Sequence, residues 1–155
     1  MTEKRVQDSE VVLAQLMLPT DANPQGNVHG GTIMKLIDTA AGMCATRHAR
    51  TFVVTAEIDS VTFLSPVFVG NLVTLRAHLN WVGRTSMEVE VCVEAENPLT
   101  GEITHTNSAY AVYVALDSAG RPVPVPRLLL ETEEEQRCWA EAEERRAHRL
   151  AMKQR

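Results

Sequence analysis

The second half of the chain alternates. Val73, Leu75, Ala77, Leu79 and Trp81 fall on one side of a repeat of two, with Thr74, Arg76, His78 and Asn80 on the other. Met87, Val89, Val91, Val93 and Ala95 repeat the pattern against Ser86, Glu88, Glu90, Cys92, Glu94 and Glu96. Such alternation predicts strands with one covered face and one wetter face. Val82-Gly-Arg-Thr and Asn97-Pro-Leu-Thr-Gly between these runs predict hairpin turns. A last strand is expected over residues 103–116, ended by Asp117-Ser-Ala-Gly.

The first half changes period. Residues 10–18 read as a strand, stopped by Pro19 and the Asp21-Ala-Asn-Pro turn. A helix is expected from about Gly31 to Arg47 or His48. Ile33, Met34, Leu36, Ile37, Ala40, Ala41, Met43 and Cys44 make it apolar nearly all round, which predicts burial. Residues 53–64 are rich in β-branched side chains and extended up to Ser65-Pro66. Residues 121–127 carry three prolines and read as an extended connector. A second helix is expected from Thr132, where Thr132 and Glu135 form a capping-box signature. Its first turn is acidic and Arg145, Arg146 and Arg149 come late, which suits the helix dipole. The apolar stripe of this helix is thin, so it either packs on a neighbour or projects, and its charge run reads as a solvated face. The order predicts an α+β fold: one curled antiparallel sheet wrapped around a long central helix, plus a C-terminal helix. Residues 1–127 form the domain and 128–155 a helical extension.

Composition narrows the function classes. With 155 residues, 45% hydrophobic and 23% charged, the chain fits one globular domain with a real core. No apolar run reaches membrane-spanning length, and the N-terminus has no apolar signal core, so a membrane or secreted location is not expected. Three widely spaced cysteines, Cys44, Cys92 and Cys138, point to reduced thiols in the cytoplasm and to small core residues. A net charge of −5 disfavours nucleic acid as a partner and leaves an anionic small molecule open.

The candidate chemistry centres on Asn23-Pro-Gln-Gly-Asn-Val-His-Gly-Gly-Thr-Ile-Met-Lys-Leu-Ile-Asp38. Gly30 and Gly31 at the mouth of the helix either permit a tight turn or let a ligand oxygen approach free backbone N–H groups. Asp38 lies two turns further in, about 10 Å along the axis. It therefore cannot meet an oxyanion held by its own helix's N-terminus. It can meet one held by a second copy, if two such helices run antiparallel across a dimer interface. An interfacial aspartate with a structural role is the other reading. Asn23 reads as a turn former or as an amide that orients water or a carbonyl. His29 supports the loop or the site. Arg84, Thr85 and Ser86 read as an ordinary hairpin or as a phosphate contact; Arg47, His48 and Arg50 form a small basic cluster or a helix cap. The five histidines offer no metal-ligand spacing, and no Gly-x-Ser-x-Gly, Walker or dinucleotide motif occurs.

Taken together these segments resemble a known family. Leu16-Met-Leu-Pro, the stretch from Asn23 to Asp38, Ala40-Ala-Gly, Arg47-His48, Val61-Thr-Phe-Leu-Ser-Pro-Val, Val69-Gly-Asn and Glu94-Ala-Glu-Asn-Pro-Leu-Thr-Gly-Glu resemble the cytosolic acyl-CoA thioesterases of the hot-dog fold. The likeness covers roughly residues 10–130. It implies Asp38 as the catalytic carboxylate and Asn23 as the catalytic asparagine, with Gly30 and Gly31 as the oxyanion hole. It also implies a homodimer with two equivalent sites, assembling further into a trimer of dimers. The substrate implied is a fatty acyl-CoA, hydrolysed to free acid and CoA without a cofactor or metal. Arg84, Thr85 and Ser86 would hold the CoA phosphates; His29 and Met34 would contact substrate, and Met34, Ile37 and Ala41 would line the acyl channel. Two other readings on the same fold are a non-catalytic acyl-CoA sensor, which would lack the Asn23–Asp38 pair, and a hydratase or dehydratase. Those lyases use a histidine with an acidic partner in another context than that of His29.

Overall fold

The computed structural model describes residues 2–59 and 61–153. Five strands form one antiparallel sheet: β2 (Val11–Leu16), β3 (Phe52–Ile58), β4 (Leu72–Val82), β5 (Ser86–Glu96) and β6 (Ile103–Leu116), in the order β2-β4-β5-β6-β3. The sheet curls around α1 (Gly30–Ala49), as expected. Val73, Leu75, Ala77, Leu79, Met87, Val89, Val91, Val93, Ala109, Ala111 and Ala115 are buried on its inner face against α1. The small residues of β6 let the helix backbone sit close to the sheet.

Three expectations need correction. The helix is not buried all round: Ile33, Leu36, Ile37, Ala40, Ala41, Cys44, Ala45 and His48 are buried, while Gly31, Lys35, Thr39 and Met43 are exposed. One sheet covers only one side of a helix. The extended stretch 53–64 is a strand only to Ile58, with a bulge at Ala56. Beyond it the chain folds over the start of α1, Leu64 donating to the Thr106 carbonyl (2.9 Å) and Val28 to that of Val67 (2.7 Å). Ser60, within that stretch, lies outside the described residues. Finally, Trp81 does not share the face of Leu79. A bulge at Asn80 shifts the register, so Leu79 pairs with Val89 but Trp81 with Glu88, on the outer face.

That outer face carries α2 (Glu133–Lys153), which packs against it through Cys138 and Ala142. Trp81 meets Trp139 with ring centroids 6.0 Å apart. The cap of α2 is a variant of the expected box: Glu135 N–H donates to Thr132 Oγ1, but the Glu135 carboxylate accepts from Glu131 rather than Thr132. The charge run is not simply solvated either, because Arg145 and Arg149 both reach the fully buried Glu88.

A short parallel pair, β1 (Lys4–Arg5) with β7 (Leu128–Leu129), ties the N-terminal segment to the connector that precedes α2. The sequence offered no sign of it. From β1, Lys4 Nζ donates to the Arg47 and His48 carbonyls at 2.6 and 3.0 Å, closing the C-terminus of α1.

Candidate functional site

The loop before α1 is built by Asn23. Its Oδ1 accepts from the N–H groups of Gln25 and Asn27 (3.0 and 3.1 Å), and its backbone pairs with Asn27 and Gly26. The turn-forming role is therefore real, and it uses only the oxygen of the amide. The NH2 group has no acceptor among the described residues, and Asn23 borders a cavity of about 210 Å3 with Gly30, Ile33, Phe63 and Ser65.

Gly30 and Gly31 open α1 with ordinary negative φ, so the turn itself does not require glycine. A methyl at Gly31 would meet nothing within 4 Å, and one at Gly30 only the Phe63 ring at 3.5 Å. Their N–H groups have no acceptor among the described residues, the cap residue His29 makes no side-chain cap bond, and the first turn holds no acid. An uncompensated helix N-terminus with open space in front of it is an anion-favouring surface. His29 is exposed there, its N–H held by the Asp21 carbonyl at 2.9 Å.

Asp38 is half-buried in the middle of α1. Two residues that sequence reasoning missed hold it. Tyr113 Oη donates to Oδ1 at 2.7 Å and Thr55 Oγ1 donates to the same oxygen at 2.9 Å. Tyr113 and Thr55 are cross-strand partners of β6 and β3. One signal was available: Tyr113 is the single hydroxyl in the inward row Ala109, Ala111, Tyr113, Ala115. β3 is an edge of the sheet with Phe52 and Val54 exposed, so Asp38 sits beside a strand paired on one side only, with β6.

Within one chain the remaining candidates are not gathered at these groups. Arg84, Thr85 and Ser86 form the β4–β5 hairpin, where Arg84 and Thr85 carbonyls accept from Val125 and Ala115, near the far end of α1 from Asn23. Arg84 is exposed and has no carboxylate partner among the described residues. Met34 is half-buried, whereas Ile37 and Ala41 are fully buried in the packed core and line no channel as they stand. The basic cluster resolves as a cap: Arg50 takes the left-handed C-cap position (φ 55°), and Arg47 reaches the carbonyls of Glu10 and Asp8. A larger cleft of about 730 Å3 beside α2 is lined by Glu57, Asp59, Arg145, His148 and Arg149; most of these charges pair with one another or with Glu88, which marks it as the seam of α2 docking. Cys44 is buried, and burial pushes its thiol up to about 12. Among the described residues no group of three His, Cys, Asp or Glu side chains could hold a metal, and no helix is long and apolar enough to cross a membrane.

A long helix cradled in a curled five-stranded antiparallel sheet is the architecture of a hot-dog domain. Residues 25–102 match the Thioesterase superfamily, and the chain belongs to that family. It is 44% identical over 128 residues to the uncharacterized acyl-CoA thioester hydrolase YkhA of Bacillus subtilis (strain 168), covering 83% of this chain and 74% of that one. It is 36% identical to the cytosolic acyl coenzyme A thioester hydrolase of Rattus norvegicus, covering 94% of this chain and 39% of that longer one. An apo-hexameric acyl-CoA thioesterase superposes with a TM-score of 0.94 at 40% identity, covering 98% of this chain and 97% of that one. The acyl-CoA hydrolase from Staphylococcus aureus, solved in complex with butyryl coenzyme A, coenzyme A and coenzyme A disulfide, superposes at 0.87 with 33% identity, over 98% and 95% of the two chains. Variants of that enzyme with one aspartate, one asparagine or one threonine changed to alanine have also been solved.

Proposed function

We propose that the protein is a thioesterase that hydrolyses fatty acyl-CoA to free acid and CoA. The observation that carries this reading is the anchored Asp38 carboxylate beside the open edge of β3, two turns from an unfilled helix N-terminus on the same helix. Pairing β3 with β3 of a second copy, α1 antiparallel to its twin, would bring the Asp38 of one chain to Gly30, Gly31 and Asn23 of the other. The thioester carbonyl then accepts from backbone N–H groups at Gly30 and Gly31, and the Asn23 NH2 group steadies the water or carbonyl.

In the general-base route Asp38 takes a proton from water as its oxygen bonds to the carbonyl carbon. The tetrahedral intermediate collapses, the C–S bond breaks, and the departing thiolate takes the proton back from Asp38. Direct attack by Asp38 to give a mixed anhydride, then opened by water, is the alternative route. Neither needs a metal or a cofactor beyond the CoA of the substrate. The unpaired Arg84 guanidinium, with Thr85 and Ser86, is assigned to the CoA phosphates, and His29 and Met34 to contacts along the ligand. Assembly as a trimer of dimers and a cytoplasmic location belong to the same proposal, supported by a relative described as hexameric and another described as cytosolic.

The test is release of free CoA from short, medium and long acyl-CoAs by purified protein, beside Asp38→Asn. Turnover should fall by about three orders of magnitude or more in the variant, in keeping with residues that act as a catalytic unit. Wild-type protein that binds acyl-CoA and turns over none would make it a sensor instead.

A further inference from the structure

Resting on the hydrolase reading above, we infer that Tyr113 is a positioning residue for Asp38: by pinning Oδ1 together with Thr55, it leaves Oδ2 as the one oxygen presented to the reacting water and carbonyl.

Three observations carry this. First, both donors converge on the same atom, at 2.7 Å from Tyr113 and 2.9 Å from Thr55, and Oδ2 has no donor among the described residues. Two donors on one oxygen oppose the exchange of the two oxygens by rotation about Cβ–Cγ. Second, Tyr113 is the rigid member of the pair. Its ring is 1% exposed on the interior strand β6, opposite the buried Met87 of β5, and a methyl on Gly42 of α1 would lie 3.5 Å from it. Thr55 is exposed on the edge strand. The phenol therefore refers the position of Asp38 to the core rather than to the sheet edge. Third, the hydroxyl stays a donor. Burial first, and the hydrogen bond to Asp38 next, hold the phenol far above its ordinary range.

The arrangement also balances the proton. When Oδ2 takes the proton of water, Oδ1 becomes the carbonyl oxygen of a neutral acid, and it still accepts from Tyr113 and Thr55. The proton is therefore kept on Oδ2 until the thiolate removes it. Tyr113 itself neither gives nor takes a proton.

Tyr113→Phe removes one oxygen and little volume. With an acyl-CoA that the wild type hydrolyses, and rates counted per CoA-binding site, kcat should fall roughly ten- to a hundredfold, the scale expected for a misplaced catalytic group. KM should stay within about twofold, because Tyr113 acts through Asp38 and not on the ligand. In an Asp38→Asn background the same change should alter the residual rate by less than about twofold, since contacting residues of one network do not add. Should the phenylalanine variant not accumulate, 3-fluorotyrosine at the same position keeps the hydroxyl and makes it a stronger donor while adding one small ring substituent; kcat should then move with KM fixed.

A Tyr113→Phe protein with wild-type kcat per site, whatever its melting temperature, overturns the role assigned here. So does an effect that persists in full without the Asp38 carboxylate, or a 3-fluorotyrosine protein with unchanged kcat. Wild-type protein inert toward every acyl-CoA removes the hydrolase reading and this inference with it.

Discussion

Arg145 of α2 meets Glu88 of β5 with a 2.7 Å contact from Nη2 to Oε1, beneath the helix, where the Glu88 side chain has no solvent exposure. Arg149 adds a second contact at 3.3 Å, and Asn80 donates to Glu88 Oε1 at 3.1 Å. Arg145 also lies 3.7 Å over the Tyr110 ring. The C-terminal helix is thus tied to one carboxylate buried in the sheet it covers, in addition to its thin apolar stripe.

Glu88→Ala would leave Arg145 partly buried with no carboxylate partner among the described residues, and Arg149 with only Asp59 and Glu57. Breaking one side of a buried pair costs about 3–5 kcal/mol. Urea unfolding should show a loss on that scale, and hydrogen exchange should rise first in α2. Unaltered exchange in α2 would assign its docking to the Trp81–Trp139 contact instead.

If Asp38 and Asn23 of different chains make one site, two inactive variants should rescue each other. Co-expressed Asn23→Ala and Asp38→Asn chains give mixed dimers with one intact and one doubly altered site. Random pairing in a symmetric dimer then returns about a quarter of wild-type turnover. A site made within one chain returns none.

Gly31 needs neither a positive φ nor the absence of a neighbour within its own chain. Gly31→Ala should therefore leave stability unchanged or raise it by up to about 1 kcal/mol, from the better helix propensity of alanine. Turnover should fall all the same, because the methyl group occupies the approach to the free N–H groups. Melting temperature and kcat moving in opposite directions is the expected signature; full activity would place the carbonyl elsewhere.

His48 is fully buried, with Nε2 against the Pro126 carbonyl at 2.8 Å and Nδ1 without a partner among the described residues. Burial, first of all, lowers its pKa from the ordinary 6.5. The unfolded chain then takes up a proton on His48 before the folded one does. Its contribution is complete above about pH 6.5 and is lost as the pH falls toward the depressed folded value. Unfolding free energies at pH 7.5 and 5.5 should differ in that sense, and His48→Gln should reduce the difference. An unchanged difference would assign the slope to other groups.

The strands β4, β5 and β6, their hairpins and the central helix were legible because one periodic face of each is buried against a single partner. Asp38 was legible as a charge in an apolar helix. Its anchors were not: Thr55 and Tyr113 lie 17 and 75 residues away, and only the pairing of β3 with β6 makes them neighbours. The same holds for the Lys4 seal on α1 and for the partners of Arg145 and Arg149, which link the two ends of the chain to elements far off in sequence. Alternation also misplaced Trp81, since a repeat of two carries no mark of the residue at which it slips.

That slip, at Asn80, means β4 is written in two reading frames. Up to Leu79 its inward letters spell the interior shared with α1; after the extra residue, Trp81 belongs to the layer beneath α2, and Val82 returns to the interior. One strand thereby serves two separate cores. Deleting Asn80 would restore an unbroken alternation and still leave the indole beneath α2 and Val82 in the interior, because the extra residue is what separates their frame from that of Leu79.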